Sequence, residues 1–206
     1  MAYVTAEMIA QAEARYGAPA TYSLGYPATP REMDIVRSSQ KSGRKHDITL
    51  AICGEPGVIV IAKPWYTHGL YRLPSGGLLP GESLEVGAAR EAKEETGVEL
   101  KLLRYHLRID VEFRGEAHTI PWTSHVFSAR HTSGVVAAED TVEIREARWC
   151  RWSELLAHRA LMLDSAVSGL QYRAALQDRL IEQLEQLGWL RRDGTTLEPV
   201  ETCLPT

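Results

Sequence analysis

The segment GGLLPGESLEVGAAREAKEETGVEL, at residues 76–100, has the pattern of a short acidic helix with a capping residue at each end. Ser83 is a suitable N-cap, because its hydroxyl can accept a hydrogen bond from a free backbone N–H of the first turn. Gly97 suits the left-handed backbone conformation that ends many helices. The sequence therefore predicts a helix of about thirteen residues that starts after Ser83 and stops at Gly97.

Three glutamates of this helix fall on one edge. Glu94 and Glu95 follow Glu91 by three and four residues, which is the spacing of neighbours on a helix surface. Like charges at this spacing repel by about 0.2–0.5 kcal/mol per pair in an isolated helix. A magnesium ion removes this conflict, because it prefers carboxylate and water oxygens and keeps positions open for phosphate. We therefore expect Glu91, Glu94 and Glu95 to bind Mg²⁺.

The loop before the helix is rich in glycine. Gly76 and Gly77 lack side chains, so the backbone there can approach another group closely. Glu82 lies just before the helix and Arg90 lies inside it. We expect these two residues to form an ion pair that fixes the loop against the helix, so that loop and helix together form a pocket for metal and phosphate.

The spacing of these residues resembles a known family. Gly76, Glu82 and the run REAKEETGV at residues 90–98 look like the complete signature of the Nudix hydrolases, with every fixed position filled. The resemblance implies an α/β/α sandwich with a mixed β-sheet. The predicted strands, which flank the glutamate helix on both sides and are followed by more helices, agree with that fold class.

The predicted elements suggest three parts of the chain. Residues 1–45 hold a helix over residues 5–16 and then, with three prolines and a polar tract, an irregular lead-in. Residues 46–160 would form the Nudix domain, and residues 161–206 a C-terminal helical extension. Within the domain, alternating residues predict one long half-exposed strand over 103–114, with Tyr105 and Leu107 on the same face.

The resemblance also implies an activity. Nudix enzymes hydrolyse a nucleoside diphosphate linked to another group, X, by attack of water at phosphorus, with Mg²⁺ or Mn²⁺ bound to the diphosphate. By motif position, Glu94 and Glu95 would be the main metal ligands. Glu91 would be a further ligand or the base that takes the proton from water. A metal-bound water of lowered pKa and a nearby carboxylate are independently suited to this chemistry.

Other residues are weaker candidates for the site. Arg44 and Arg72 flank the predicted strands near the glycine loop and could bind substrate phosphates, as could Lys63. The segment KPWYTHGLYR, at residues 63–72, contains aromatic side chains that could stack on a base. Two late acidic residues could add a metal ligand: Glu143 and Glu146.

Two further functions stay open. An enzyme similar to isopentenyl diphosphate isomerase would share the fold, but it needs a reactive cysteine before the signature, and Cys53 is the one candidate. A non-catalytic Nudix-like binding module usually loses signature carboxylates, and this chain keeps them all. Markers of the ADP-ribose, dinucleoside polyphosphate, NADH and coenzyme A subfamilies are missing, so a nucleoside di- or triphosphate or a nucleotide sugar is the expected substrate.

Composition limits the partners and the location. The formal net charge is −4 and no basic stripe is present, so duplex nucleic acid is not an expected partner. There is no run of 18 apolar residues and no signal-peptide pattern, so no membrane association is expected. Cys53, Cys150 and Cys203 are far apart, which favours a reducing, cytoplasmic environment. Apolar edges on the first and last helices suggest a homodimer.

Overall fold

A computed structural model describes residues 3–40, 43–193 and 196–199. The helices are α1 (Ala6–Tyr16), α2 (Pro30–Ser39), α3 (Leu84–Thr96), α4 (Glu154–Asp164) and α5 (Ser168–Gln186). The strands are β1 (Ala20–Pro27), β2 (His46–Gly54), β3 (Gly57–Ala62), β4 (Ser75–Gly77), β5 (Glu99–Arg114), β6 (Thr119–Ser133), β7 (Glu146–Cys150), β8 (Leu190–Asp193) and β9 (Thr196–Pro199).

The main sheet is mixed. Its strand order is β1-β5-β6-β2-β3-β7, and the short β4 pairs with the first half of β2. β1 runs parallel to β5, and β2 runs parallel to β6, whereas the remaining pairs are antiparallel. β8 and β9 form a separate hairpin that the sequence pattern did not predict.

Helices cover both faces of the sheet. On one face Ile48, Leu50 and Ile52 of β2 pack in the same apolar cluster as residues of α1 and α3. The intervening Ala51 and Cys53 point to the other face, where their cluster includes residues of α2, α4 and α5. Because successive side chains of a strand alternate between faces, β2 contributes to both layers of the core. The predicted α/β/α sandwich with a mixed sheet is confirmed.

The ends of α3 lie where the sequence predicted them. The Ser83 hydroxyl accepts a hydrogen bond from the Val86 N–H at 3.2 Å. Gly97 has φ 72° and its N–H donates to the Lys93 carbonyl at 2.9 Å. Both caps use a small residue for the reason expected, since the first supplies an acceptor and the second tolerates positive φ.

The predicted irregular lead-in before residue 46 is wrong. Residues 20–27 form β1, an edge strand of the main sheet, and residues 30–39 form α2. Thr29 and Glu32 make a capping box, and Pro30 occupies the start of the helix, where its missing N–H has no cost. The prolines therefore mark the ends of regular elements here, not an irregular segment.

The predicted alternation along β5 is interrupted. Tyr105 packs in the cluster on the α3 face, whereas Leu107 packs in the cluster on the α5 face. The register of β5 against β6 shifts between Tyr105 and Leu107, and His106 between them is buried. Because a bulge inserts one extra residue, it reverses the facing of the residues after it. The expectation that Tyr105 and Leu107 share a face was therefore wrong.

The C-terminal helix belongs to the core. Leu176, Leu180 and Leu184 of α5 are almost fully buried in the cluster on its face of the sheet. These three leucines of the last helix are therefore covered within the chain itself, and the homodimer stays a prediction. In the part of the chain that the structure describes, no helix is long and apolar enough to cross a membrane. The division of the chain at residues 45 and 160 stays a prediction, and Cys203 lies outside the described residues.

Candidate active site

The glycine loop passes directly against the glutamate helix. β4 places Gly76 beside α3, and a Cβ atom added to Gly76 would overlap the carboxylate of Glu91. The side chain of Glu91 is 12% exposed, so the loop covers most of it. A side chain at position 76 would therefore force the Glu91 carboxylate to move.

Arg90 connects the loop to three carboxylates. Its Nε and Nη2 donate to the two oxygens of Glu82 at 2.8 Å each, and Nη2 also donates to the Gly77 carbonyl at 2.8 Å. Its Nη1 donates to Glu91 at 2.7 Å and to Glu94 at 3.0 Å. The structure therefore contains the Glu82–Arg90 pair that the sequence suggested, and it adds contacts with three partners that were not expected: Glu91, Glu94 and the Gly77 carbonyl.

The glutamates around Arg90 have shifted pKa values. Burial alone would raise the pKa of Glu82, but hydrogen bonds from Arg90 and from the Leu79 N–H outweigh burial and lower it. Burial raises the pKa of Glu91 to about 7, and the charges of Glu95 and Glu94 act in the same direction, against Arg90. The repulsion expected from their helical spacing is thus present in the folded protein.

Glu95 faces a different set of partners. One of its oxygens accepts a hydrogen bond from the Ser75 N–H at 2.7 Å, and the other lies 3.8 Å from Nη2 of Arg72. Burial raises the pKa of Glu95, while Arg72 and Lys63 oppose the rise. Arg72 itself is buried, so this predicted substrate-binding residue lies beneath the loop and contacts a predicted metal ligand.

Arg44 lies at the second glycine of the loop. A Cβ atom on Gly77 would overlap its guanidinium group, and its Nε donates to the Ser39 carbonyl at 2.9 Å. Gly76 and Gly77 therefore have different neighbours: a carboxylate at the first and a guanidinium at the second. This places a positive charge beside the loop in which phosphate oxygens are expected.

The weaker candidates occupy other positions. Lys63 pairs with Glu143 at 3.2 Å, and the Tyr71 hydroxyl donates to Glu146 at 2.7 Å. Both late acidic residues thus have partners outside α3. Of the aromatic segment, Trp65 is 61% exposed and stands edge-on to the ring of the buried Tyr66.

The three glutamates of α3 offer only oxygen ligands within one helical turn, which is the donor set that Mg²⁺ and Mn²⁺ prefer. Glu94 is half exposed, while Glu91 and Glu95 lie against the loop. Their carboxylates do not converge on one point, because Arg90 holds two of them and Ser75 the third. The chemistry of this donor set fits a hard divalent cation.

A second group of metal-type ligands lies apart from α3. Among the described residues, Cys150, Glu154 and His158 are the group whose ligand atoms all lie within 4.8 Å of one another. The guanidinium of Arg148 already contacts Glu154 at 3.4 Å and His158 at 3.5 Å. Because this group combines a thiol, an imidazole and one carboxylate, it differs from the all-oxygen set that Mg²⁺ prefers.

Sequence reasoning missed a buried pair behind the site. Arg173 of α5 donates to Asp47 at 2.6 Å and to Thr49 at 2.9 Å, and its charge opposes the raised pKa of Glu95. Burial would raise the pKa of Asp47, but Arg173 and the Ser124 hydroxyl lower it. These partners are more than 120 residues apart in the chain, so no local pattern indicated them.

The three-layer fold, the glycine loop and the carboxylate helix together define a Nudix-type domain. The sequence profile described as the NUDIX domain matches residues 44–167, more than half of the chain. The protein therefore belongs to the Nudix family, as its signature predicted.

Several known proteins are similar to this chain. MutT4 of Mycobacterium tuberculosis, named as a mutator protein, is 31% identical over 119 residues, which is 58% of this chain and 45% of that protein. NudC of Photobacterium profundum, named as an NAD-capped RNA hydrolase, is 31% identical over 111 residues, or 53% of this chain and 39% of that protein. The chain thus spans less than half the length of these relatives.

Solved structures are also similar. A NUDIX hydrolase from Nitrosomonas europaea matches with a TM-score of 0.46 and 20% identity, covering 65% of this chain and 89% of that one. A UDP-X diphosphatase matches with a TM-score of 0.43 and 18% identity, covering 58% of this chain and 59% of that one. These scores are too low to add to the family assignment.

Proposed function

We propose that this protein hydrolyses the pyrophosphate linkage of a nucleoside diphosphate derivative, with Mg²⁺ or Mn²⁺ as cofactor. The substrate would be a nucleoside di- or triphosphate or a nucleotide sugar. The observation that carries the proposal is the contact between the carboxylate of Glu91 and the backbone at Gly76, because it brings the glutamate helix directly against the glycine loop. Family membership supports the same reaction class.

The chain's own residues have distinct roles in this proposal. Glu94 and Glu95, with Glu91, would hold the metal ion, which supplies charge neutralisation on the phosphates and a more acidic bound water. Glu91 is the proposed proton acceptor, because its carboxylate lies at the loop that would cover the phosphates. Arg90 holds Glu91 and Glu94 in place through one nitrogen. Arg44, beside Gly77, would bind a phosphate oxygen.

The isomerase-like alternative is disfavoured by the position of its cysteine. Cys53 is buried in the cluster on the α5 face of the sheet, whereas α3 lies on the opposite face. A thiol there does not face the carboxylates of Glu91 and Glu95. The non-catalytic alternative gains no support either, because all the signature carboxylates are present. Buried thiols at Cys53 and Cys150 agree with a reducing compartment, so a cytoplasmic location is part of the proposal.

A hydrolysis screen tests the proposal. Purified protein is incubated with Mg²⁺ and a panel of nucleoside diphosphate derivatives, and the products are identified by mass spectrometry. We expect one class to be cleaved at the pyrophosphate and both E94Q and E95Q to lower the rate by about 100-fold or more, since even outer-shell changes cost 10–100-fold. E116Q, at an exposed loop residue, is the matched control and should keep the wild-type rate. Wild-type rates in E94Q and E95Q would refute the proposed site.

A further inference from the structure

Arg72 is almost fully buried beneath the glycine loop, and three of its five N–H donors form hydrogen bonds within the protein. Its Nε donates to the Tyr66 hydroxyl at 2.8 Å, and its Nη1 donates to the Leu73 carbonyl at 2.7 Å and to the Ser75 hydroxyl at 2.8 Å. The remaining nitrogen, Nη2, lies 3.8 Å from Glu95. With a side chain only 6% exposed, the guanidinium has its orientation set by three hydrogen bonds.

Glu95 is consequently held from two sides. The Ser75 N–H binds one oxygen, and the charge of Arg72 faces the other. Ser75 contributes twice, since its N–H binds Glu95 and its hydroxyl accepts from Arg72. A carboxylate that is 7% exposed and bound in this way has little freedom to change its rotamer.

We propose that Arg72 is a positioning residue that acts through Glu95, with Tyr66 and Ser75 as its anchors. This inference rests on the proposed function, because Glu95 is a metal ligand only within it. It also replaces the sequence-based expectation that Arg72 binds substrate. The guanidinium of Arg72 is buried, its Nε and Nη1 are used in three hydrogen bonds within the protein and its Nη2 faces Glu95, whereas Arg44 stands beside the loop at Gly77.

Metal binding in the absence of substrate separates positioning from simple electrostatics. Removing a positive charge near Glu95 would by electrostatics alone tighten the binding of a cation. Loss of an outer-shell partner that orients a ligand instead weakens metal binding, typically by 10–100-fold. We therefore expect the R72Q variant to bind Mn²⁺ about 10–100-fold more weakly than wild type in a titration followed by electron paramagnetic resonance.

The matched control is R114Q, which removes an exposed arginine that pairs with Glu112, away from α3 and from the Cys150–Glu154–His158 group. It should bind Mn²⁺ like wild type. Unchanged or tighter Mn²⁺ binding by R72Q would overturn the positioning role. Mn²⁺ binding is measured without substrate, so the result does not depend on having found the right nucleotide. A wild-type protein that binds no Mn²⁺ at all would overturn both this inference and the proposed function.

A double-variant comparison separates positioning from substrate binding. If Arg72 acts only through Glu95, R72Q should lower kcat with little change in KM, and R72Q/E95Q should be no slower than E95Q alone. A further loss of kcat/KM in the E95Q background, or a raised KM in R72Q, would show a direct contact with substrate. Normal hydrolysis by R72Q together with an inactive E95Q would refute this inference while leaving the proposed function intact.

Two milder variants keep the test decisive if R72Q does not fold. Y66F removes the hydroxyl that accepts from Nε of Arg72, and S75A removes the hydroxyl that accepts from Nη1, while the backbone N–H to Glu95 remains. Each should weaken Mn²⁺ binding, but by a smaller factor than the 10–100-fold expected for complete loss of the outer-shell partner. Wild-type Mn²⁺ affinity in both Y66F and S75A would contradict the role of the anchors and of Arg72.

Discussion

Replacement of Arg90 by glutamine should destabilise the protein far more than replacement of an arginine in an exposed ion pair. Arg90 is 24% exposed, and two of its partners are nearly buried, with side-chain exposures of 8% for Glu82 and 12% for Glu91. In the R90Q variant both carboxylates would keep their burial but lose their countercharge. Glu82 would retain one hydrogen bond, from the Leu79 N–H.

The expected loss results from that burial. Breaking a buried ion pair by removing one partner costs about 3–5 kcal/mol, because the remaining charge is left uncompensated. The contact with the half-exposed Glu94 adds little, since exposed pairs contribute about 0–1 kcal/mol. For a chain of this size a loss of 3–5 kcal/mol lowers Tm by roughly 6–20 °C, at 2–4 °C per kcal/mol.

Urea unfolding in EDTA measures this loss, because EDTA removes any metal that could replace the lost charge. R114Q is the control, since Arg114 and its partner Glu112 are 61% and 55% exposed, and its cost should stay below about 1 kcal/mol. The E82Q/R90Q double variant should be more stable than R90Q by at least about 1 kcal/mol, because it also removes the uncompensated carboxylate. A loss below about 1 kcal/mol in R90Q, or no recovery in the double variant, would refute the reasoning.

Two further predictions concern the close contact at the loop and the dependence of stability on pH. G76A should lower the rate of hydrolysis by at least about 100-fold, because its Cβ would displace the Glu91 carboxylate. The same displacement would break the hydrogen bond from Arg90 to Glu91, at a cost of about 1.5–3 kcal/mol of stability. Wild-type kinetics in G76A would contradict this prediction. Burial lowers the pKa of His106 and of His125 to about 3, whereas an unfolded chain has the ordinary histidine pKa of about 6.5. The stabilisation from the neutral folded forms is therefore complete above about pH 6.5. As pH falls from 6.5 towards 3, each histidine should reduce the free energy of unfolding by about 1.4 kcal/mol per pH unit. Urea titrations at several pH values should show a smaller slope in H106Q and an unchanged slope in H68Q, at an exposed histidine.

The glutamate helix was predictable because its signals are local. Ser83 and Gly97 fix its ends through bonds made within one turn, and the shared edge of the glutamates results from helical spacing alone. The contact from Arg90 to Glu94 obeys the same i to i+4 rule and could have been expected beside the pair with Glu82.

The segment before residue 46 was predicted to be irregular, although its sequence contains a helix-start signal. Thr29-Pro30-Arg31-Glu32 has the pattern of a capping box with proline at the first helical position, and α2 begins there. The bulge at His106 had no such signal, because apolar and polar residues alternate through it without a break. Only pairing with β6 determines where the register shifts.

The support behind the site depends on contacts between distant parts of the chain. Arg173 of the last helix contacts Asp47 of β2, and Arg72, which lies beneath the loop, faces Glu95 of α3. A single sequence indicates that arginines are available, but it does not show which of them is buried against a carboxylate and which stands beside a glycine. The roles of Arg72 and Arg44 differ for that reason.

The most direct test of the central claim is the anomalous scattering of Mn²⁺ in crystals grown with a non-hydrolysable nucleoside diphosphate analogue. The account predicts an anomalous peak within coordination distance of carboxylate oxygens of Glu94 and Glu95, with the phosphates of the analogue against the loop at Gly76. A peak bound by other residues, or an analogue seated away from α3, would contradict it.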